Sequence, residues 1–344
     1  MIRIPKITKF YKGVIDSTLR EGLQYRFANF TLTQQREIIQ LLFQIGTDFI
    51  EVGNPYNNKT MKNVKKLTQI EKRPLLLAHI RNRLTDVNAA ISSGVNGVNI
   101  FCTLDPKRLA GMQVTFASYL STLKDCILLA KGKNLQTRIS VENFFQADKN
   151  KALWVYEFAV KLGVDRIGIA DTLGVAMSWE VEEAISSLRR LFSVDIEVHF
   201  HNDLGQSISN AITALKNGAN WVDTTLLGIG ERNGITALST FLAAMYLFDN
   251  SIINRYCLSR LTEAENNVAK MVGFEVPFNL LTNRKNSFAH KAGVHLHAIH
   301  HLGPAIYEPL SPHLLGNQRQ LISDSDISGN SHLKEKKIYG SNNR

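Results

Sequence analysis

Eight short runs rich in β-branched and other apolar residues recur along roughly the first 230 residues, and longer stretches with helical spacing separate them. The runs are 13–19, 49–52, 75–80, 97–102, 137–141, 166–170, 196–201 and 221–226. This alternation is the strongest constraint on the fold. A helix that carries the chain back between strands lays the next strand parallel to the last. Within 35–44, for example, Ile38, Ile39, Leu41 and Leu42 form one apolar stripe. Gly46, Gly94, Gly163 and Gly218 each precede a strand, where a helix C-cap is expected. About eight strand–helix units in roughly 250 residues match an α/β chain closed as a (β/α)8, or TIM, barrel. A doubly wound open sheet is the competitor. It normally carries a glycine-rich phosphate turn after its first strand, and none follows 13–19.

After residue 257 the rhythm changes: helical spacing continues to Met271, a Gly/Pro/Asn-rich stretch follows, and then comes a segment holding His290, His295, His297, His300 and His301. The expected division is a catalytic barrel over 1–255 and a short helical or irregular C-terminal subdomain over 256–344. So short a segment buries little core alone, so it is expected to pack on a partner subunit. The 344 residues, 44% of them apolar, suffice for this arrangement. A charged fraction of 20% argues against a disordered chain. The net charge of +10 offers general attraction to anionic ligands. Its densest cluster, Lys334-Glu335-Lys336-Lys337, reads as a solvated tail. No basic–aromatic stripe points to nucleic acid. Cys102, Cys126 and Cys257 form no CxxC pair and suit a reducing cytosol. The start, Met1-Ile2-Arg3-Ile4-Pro5-Lys6, has no signal-peptide core, and the apolar run 241–248 is too short to span a membrane. A cytoplasmic protein without membrane or nucleic-acid partners is expected.

In a barrel of this kind the C-terminal strand ends carry the chemistry, and here they are polar throughout. Asp16, Arg20 and Glu21 stand at the end of the first run, Glu51 and Asn54 end the second, and His79, Arg81 and Asn99 belong to the third and fourth. Arg138, Ser140 and Glu142 alternate along the fifth and share a face. Asp171 and Thr172 end the sixth, His199 and His201 the seventh, and Gly228-Ile229-Gly230-Glu231-Arg232-Asn233-Gly234 follows the eighth. Burying so many charges without partners costs several kcal/mol each, so they are expected to converge on a metal ion and an anionic substrate. His199 and His201, two apart on a strand, project side by side as half a coordination sphere. Glu21 or Asp16 completes a set of two histidines and one carboxylate, which leaves positions open for a chelating 2-oxo acid. The ion would polarise the ketone as a Lewis acid, Arg20 would stabilise the oxyanion, and Arg138 with His79 would hold a second carboxylate. Glu231 and Arg232 either pair with each other or touch substrate. Asn202 and Asp203 are expected to shape the turn into the next helix.

The motifs Asp16-Ser17-Thr18-Leu19-Arg20-Glu21-Gly22, His199-Phe200-His201-Asn202-Asp203, 228–234 and His290-Lys291-Ala292-Gly293-Val294-His295 together resemble the catalytic part of the homocitrate synthase and 2-isopropylmalate synthase family, of the DRE-TIM metallolyase superfamily. The resemblance runs from about residue 10 to about residue 332. It implies a Claisen condensation: acetyl-CoA loses a methyl proton, its enolate attacks the ketone of a 2-oxo acid, and thioester hydrolysis releases CoA. By motif, Glu21, His199 and His201 resemble the ligands of a divalent Mg, Mn or Zn ion, and Arg20 the carbonyl-polarising arginine. Gln24, His79, Asn99, Arg138, Ser140 and Thr172 resemble the 2-oxo acid pocket. Glu142 and His295 resemble the groups that move the acetyl methyl proton, with His295 supplied in trans by a homodimer partner. The acid that the resemblance favours is 2-oxoglutarate, which gives homocitrate on the way to lysine.

The departures bear on the choice of acid. Ile235 stands where isopropylmalate synthases carry a fourth-ligand asparagine, as in homocitrate synthases. Asn99 replaces an aspartate of the homocitrate pattern, Leu23 an acidic or polar residue, and His300 a tyrosine, while Glu51-Val52-Gly53-Asn54-Pro55 leans towards isopropylmalate synthase. A 2-isopropylmalate- or citramalate-type synthase is the nearest alternative. A hydroxyacyl-CoA lyase, echoed by Arg20-Glu21-Gly22-Leu23-Gln24, and a non-catalytic relative stand behind it.

Overall fold

The computed structural model describes residues 9–322. The N-terminal stretch Met1–Lys6 and the basic cluster Lys334–Lys337 lie outside the described residues. The apolar runs become eight parallel strands: β1 (Gly13–Asp16), β2 (Phe49–Val52), β3 (Leu75–Arg81), β4 (Gly97–Cys102), β5 (Gln136–Val141), β6 (Arg166–Asp171), β7 (Asp195–Phe200) and β8 (Trp221–Thr224). They hydrogen-bond in sequence order, and β8 pairs with β1 from Gly13↔Trp221 to Asp16↔Thr224, which closes the barrel and excludes the open sheet.

The helices are α1 (Leu32–Ile45), α2 (Asn58–Thr68), α3 (Leu84–Ser93), α4 (Pro106–Gly111), α5 (Phe116–Gly132), α6 (Lys149–Lys161), α7 (Ser178–Leu191), α8 (Ser207–Lys216), α9 (Leu238–Phe248), α10 (Leu261–Val272) and α11 (Gly293–Leu302). In α1 the Thr31 hydroxyl accepts from Gln34 N while the Gln34 side chain returns to Thr31 N, and Gly46 ends the helix in the left-handed region. Both ends are thereby satisfied. The stripe Ile38, Ile39, Leu41, Leu42 and Ile45 is buried against the barrel wall. Each such side chain contributes about 1.5–3 kcal/mol of burial.

Strand alternation points one residue in two at the barrel axis. The floor layer is apolar: Ile15, Phe49 and Leu77 pack with Trp221. Arg166 crosses this floor with its guanidinium 4.3 Å from the Phe49 ring centre and 4.7 Å from that of Trp221. It also donates to Glu197 Oε2 at 3.2 Å, and burial pushes its pKa down to about 10. Above the floor the interior turns polar.

Beyond the barrel, α10 packs its buried Leu261, Ala264 and Val268 into the same core cluster as the barrel helices. The following segment is held by a two-stranded parallel pair, β9 (Ala289–His290) and β10 (Gln320–Leu321), with α11 between them in sequence. Among the described residues, no helix is long and apolar enough to cross a membrane.

Candidate active site

A cavity of about 300 Å³ opens at the C-terminal end of the barrel. Glu21, His199 and His201 meet there, all buried, each with a ligand atom within 4.8 Å of the others. The Nε2 atoms of the two histidines are 3.4 Å apart. Asp16, the other carboxylate expected from the sequence, is not in this group. It sits buried at the end of β1, where its Oδ1 accepts from Thr18 N at 2.8 Å.

Each member of the trio is held from behind. His199 Nδ1 lies 3.0 Å from Asp223 Oδ2. A carboxylate only accepts, so the ring carries its proton on Nδ1 and turns the Nε2 lone pair into the cavity. Burial, then the neighbouring His199, pushes the His201 imidazole down to about 4, which keeps it neutral. Glu21 Oε1 accepts from Glu231 N at 2.8 Å, and its Oε2 pairs with Arg20. Burial raises the Glu21 carboxyl, but Arg20 and then His199 outweigh it and hold the group below the usual carboxylate range.

The loop 228–234 delivers that Glu231 N–H. Gly234, at φ 74°, brings the chain back so closely that a Cβ there would lie 1.8 Å from Gly228 O. Only glycine tolerates this turn. Of the two alternatives for Glu231 and Arg232, their mutual pairing is not formed. Arg232 instead forks onto both oxygens of Asp203 at 2.8 Å and donates to Thr172 O at 2.7 Å. This contact also takes Asp203 away from helix capping, and Asn202 Oδ1 receives the N–H and hydroxyl of Ser207 at the start of α8.

Beneath the trio lies a charged layer. Arg20 Nε donates to Glu51 Oε2 at 2.6 Å, and Arg138 reaches Glu197, Asp223 and Glu51. The Arg138 fork, expected to grip a substrate carboxylate, is therefore committed to protein carboxylates. Its Nε alone is buried without a partner. Gly168 leaves that edge open, because a Cβ there would fall 2.2 Å from Ser140 Oγ and 3.2 Å from Arg138 Nε. Asn99 donates to Glu51 Oε1 at 3.0 Å and accepts from Ser140 Oγ at 2.9 Å. His79 stacks on Phe101 and lies 3.2 Å from Glu51 Oε1. Burial, then Arg20, lowers its pKa, and Arg20 holds Glu51 well below the usual range despite burial.

With their carboxylates ionised, Glu21, Glu51, Glu197 and Asp223 oppose Arg20, Arg138 and Arg166, four negative charges against three positive. The surplus negative charge and the two imidazoles suit a divalent cation.

Arg20, Gln24, His79, Arg138, Ser140, Glu142 and Thr172 line the cavity with the trio, and Asn99 lies against it through Ser140. His295 does not line it. It stacks on Tyr307 at 3.7 Å, beside His290, in the C-terminal segment. Glu197, Phe101 and Arg108 line the cavity, and Glu51 and Asp223 support it, without having been assigned roles from the sequence. Glu197 could have been found by the rule that found the histidines, since it stands two residues before His199.

Residues 13–268 match the HMGL-like family, and residues 283–339 match the homocitrate synthase post-HMGL domain-like family. The chain is 37% identical over 329 residues to the mitochondrial homocitrate synthase of Schizosaccharomyces pombe, covering 94% of this chain and 78% of that protein. It is 36% identical to the cytosolic homocitrate synthase isozyme of Saccharomyces cerevisiae, covering 93% and 76% of the two chains. With the homocitrate synthase of Pyrococcus abyssi it shares 32% identity, covering 90% and 86%. Among solved structures, the hydroxymethylglutaryl-CoA lyase of Pseudomonas aeruginosa superposes with a TM-score of 0.66 at 19% identity, covering 78% of this chain and 95% of that one. This last likeness speaks for the barrel fold alone.

Proposed function

This chain belongs to the HMGL-like family and, within it, to the homocitrate synthases, and from that premise we propose that it condenses acetyl-CoA with 2-oxoglutarate to give homocitrate and CoA. The observation that carries the reading is the buried Glu21–His199–His201 trio at the mouth of a cavity lined by Arg20 and Glu142. A divalent ion held by the trio would supply Lewis-acid polarisation of the ketone. Arg20, fixed by Glu51 and Glu21, presents a guanidinium to the developing alkoxide. The unpartnered Nε–H of Arg138 and the hydroxyls of Ser140 and Thr172 offer donors to the carboxylates of the 2-oxo acid.

Glu142 takes a methyl proton from the acetyl group. The resulting carbanion attacks the ketone carbon, and the ketone oxygen becomes a hydroxyl. Water then cleaves the thioester and releases CoA. We assign His295 to the same proton traffic in trans, because it lies away from its own chain's cavity. The proposal therefore includes a homodimer, with the barrel at 1–255 and the C-terminal subdomain at 256–344 as its two parts. The free cysteines favour a reducing compartment, and we place the protein in the cytoplasm.

The test is free-thiol release from acetyl-CoA with Mg or Mn present, offering pyruvate, 2-oxoisovalerate, oxaloacetate and 2-oxoglutarate in turn. Release with 2-oxoglutarate, abolished in His201→Ala, is expected. Release with another acid only would replace the proposed substrate, and silence with all four would refute the condensation.

A further inference from the structure

A second cavity, of about 520 Å³, lies beside the first, between the loop after β4 and the loop after β5. Arg108, Glu142 and Thr172 line both cavities. The wall between them is thus built around the ion pair of Arg108 with Glu142. Its two halves are anchored differently. Glu142 directly follows β5, and its backbone N–H donates to Cys102 O at 2.9 Å, so the root of its side chain is fixed to the barrel rim. Arg108 comes from the six-residue helix α4, and 53% of its side chain is exposed. The arginine can leave the wall, while the root of the glutamate stays in place.

The walls of the second cavity carry a mixed chemistry. Leu104, Pro106 and Leu173 are apolar, while Asp105, Asp148 and Lys151 add charges, Lys151 Nζ lying 3.9 Å from Asp148 Oδ2. Asn143 holds a left-handed conformation at φ 50°, and its N–H is taken by Thr172 Oγ1 at 2.8 Å. Its Oδ1 is buried with no donor. A buried carbonyl without a donor is unfavourable, and a ligand N–H would satisfy it. Apolar walls and one waiting acceptor together describe a site for a flexible chain that carries amides.

We infer that the second cavity takes the amide-bearing arm of the acyl thioester, and that Arg108 is a positioning residue which holds the Glu142 carboxylate at the junction where the acetyl methyl arrives. The inference rests on the condensing reading above. It explains why the glutamate that must meet the methyl group stands between two chambers rather than inside one.

Two variants test the two halves of the inference. Arg108→Gln is expected to lower kcat about tenfold or more, since a misaimed base costs rate, while the KM for 2-oxoglutarate stays within about twofold. Arg108→Lys, which keeps the charge, is expected to recover part of the loss. Leu173→Trp, which narrows the second cavity, is expected to raise the Kd of free CoA in calorimetry, and the KM of acetyl-CoA, about fivefold or more. Wild-type kcat in Arg108→Gln would overturn the positioning role. Wild-type CoA affinity in Leu173→Trp would overturn the placement of the arm. If the unaltered enzyme releases no CoA with any 2-oxo acid, the condensing reading fails instead, and CoA calorimetry still decides the cavity.

Discussion

Asp223 does not line the cavity, yet it decides which nitrogen of His199 does. Its Oδ2 fixes the proton on Nδ1, and Arg138 fixes Asp223 in turn at 3.3 Å. Replacing the carboxylate with an amide weakens this orientation and removes a charge from behind the ligand. Asp223→Asn is expected to weaken divalent-metal binding by about 10- to 100-fold, measured by calorimetry on metal-stripped protein; unchanged affinity would show that the contact is incidental. At this scale the sequence was legible where function is local. His199 and His201 sit on one strand, and Arg20 and Glu21 are adjacent, so short motifs reveal them. Asp223, Glu51 and Arg108 act on partners dozens of residues away. Only closure of the barrel brings them together, and no local spacing encodes that. Arg138 illustrates the converse. Its strand and inward face were readable, but whether its fork meets substrate or protein carboxylates depends on β2, β7 and β8 together.

The strands were expected nearly at their observed limits because burial on both faces makes each a continuous apolar run bounded by glycine or polar residues. The main error was at C-terminal ends. The first and eighth runs were expected to reach 19 and 226, yet β1 stops at Asp16 and β8 at Thr224. There the backbone turns into tight functional loops although Leu19 and Leu226 beyond the strand ends are apolar and buried. One packing feature leaves no trace in the local sequence pattern. Asp16 at the end of β1 and Glu265 of α10 are both fully buried, and burial raises both carboxyls, that of Asp16 to about 7. The folded value lies above the unfolded 3.8, so the folded state holds the proton more tightly. Stability is therefore full below about pH 4 and is lost as pH rises towards 7. Asp16→Asn keeps the acceptor for Thr18 N and removes the ionisation. The variant is expected to gain stability over the parent between pH 4 and 7, by up to a few kcal/mol, and to hold that gain above pH 7. Equal stabilities across this range in denaturant titrations would contradict it.

On the scale of the molecule, the barrel floor is closed by an apolar layer around Arg166, and the other arginines and carboxylates of the site lie above it, towards the mouth. This division lets one fold combine a stable core with a buried site whose carboxylates exceed its arginines by one. The C-terminal segment follows a different logic. His290 and Arg319 converge on Glu308 to brace it, while Val294 and Leu302 of α11 remain largely exposed. Such a surface is what the proposed homodimer would use to bring His295 to another chain's cavity. The proposed reaction stands on formation of a carbon–carbon bond between an acetyl group and 2-oxoglutarate. The most direct measurement is mass spectrometry of the product made from acetyl-CoA labelled with 13C in both acetyl carbons. A hydroxytricarboxylic acid with the mass of homocitrate, carrying both labels and formed only with 2-oxoglutarate present, is expected. Labelled acetate alone, with 2-oxoglutarate returned unchanged, would contradict it.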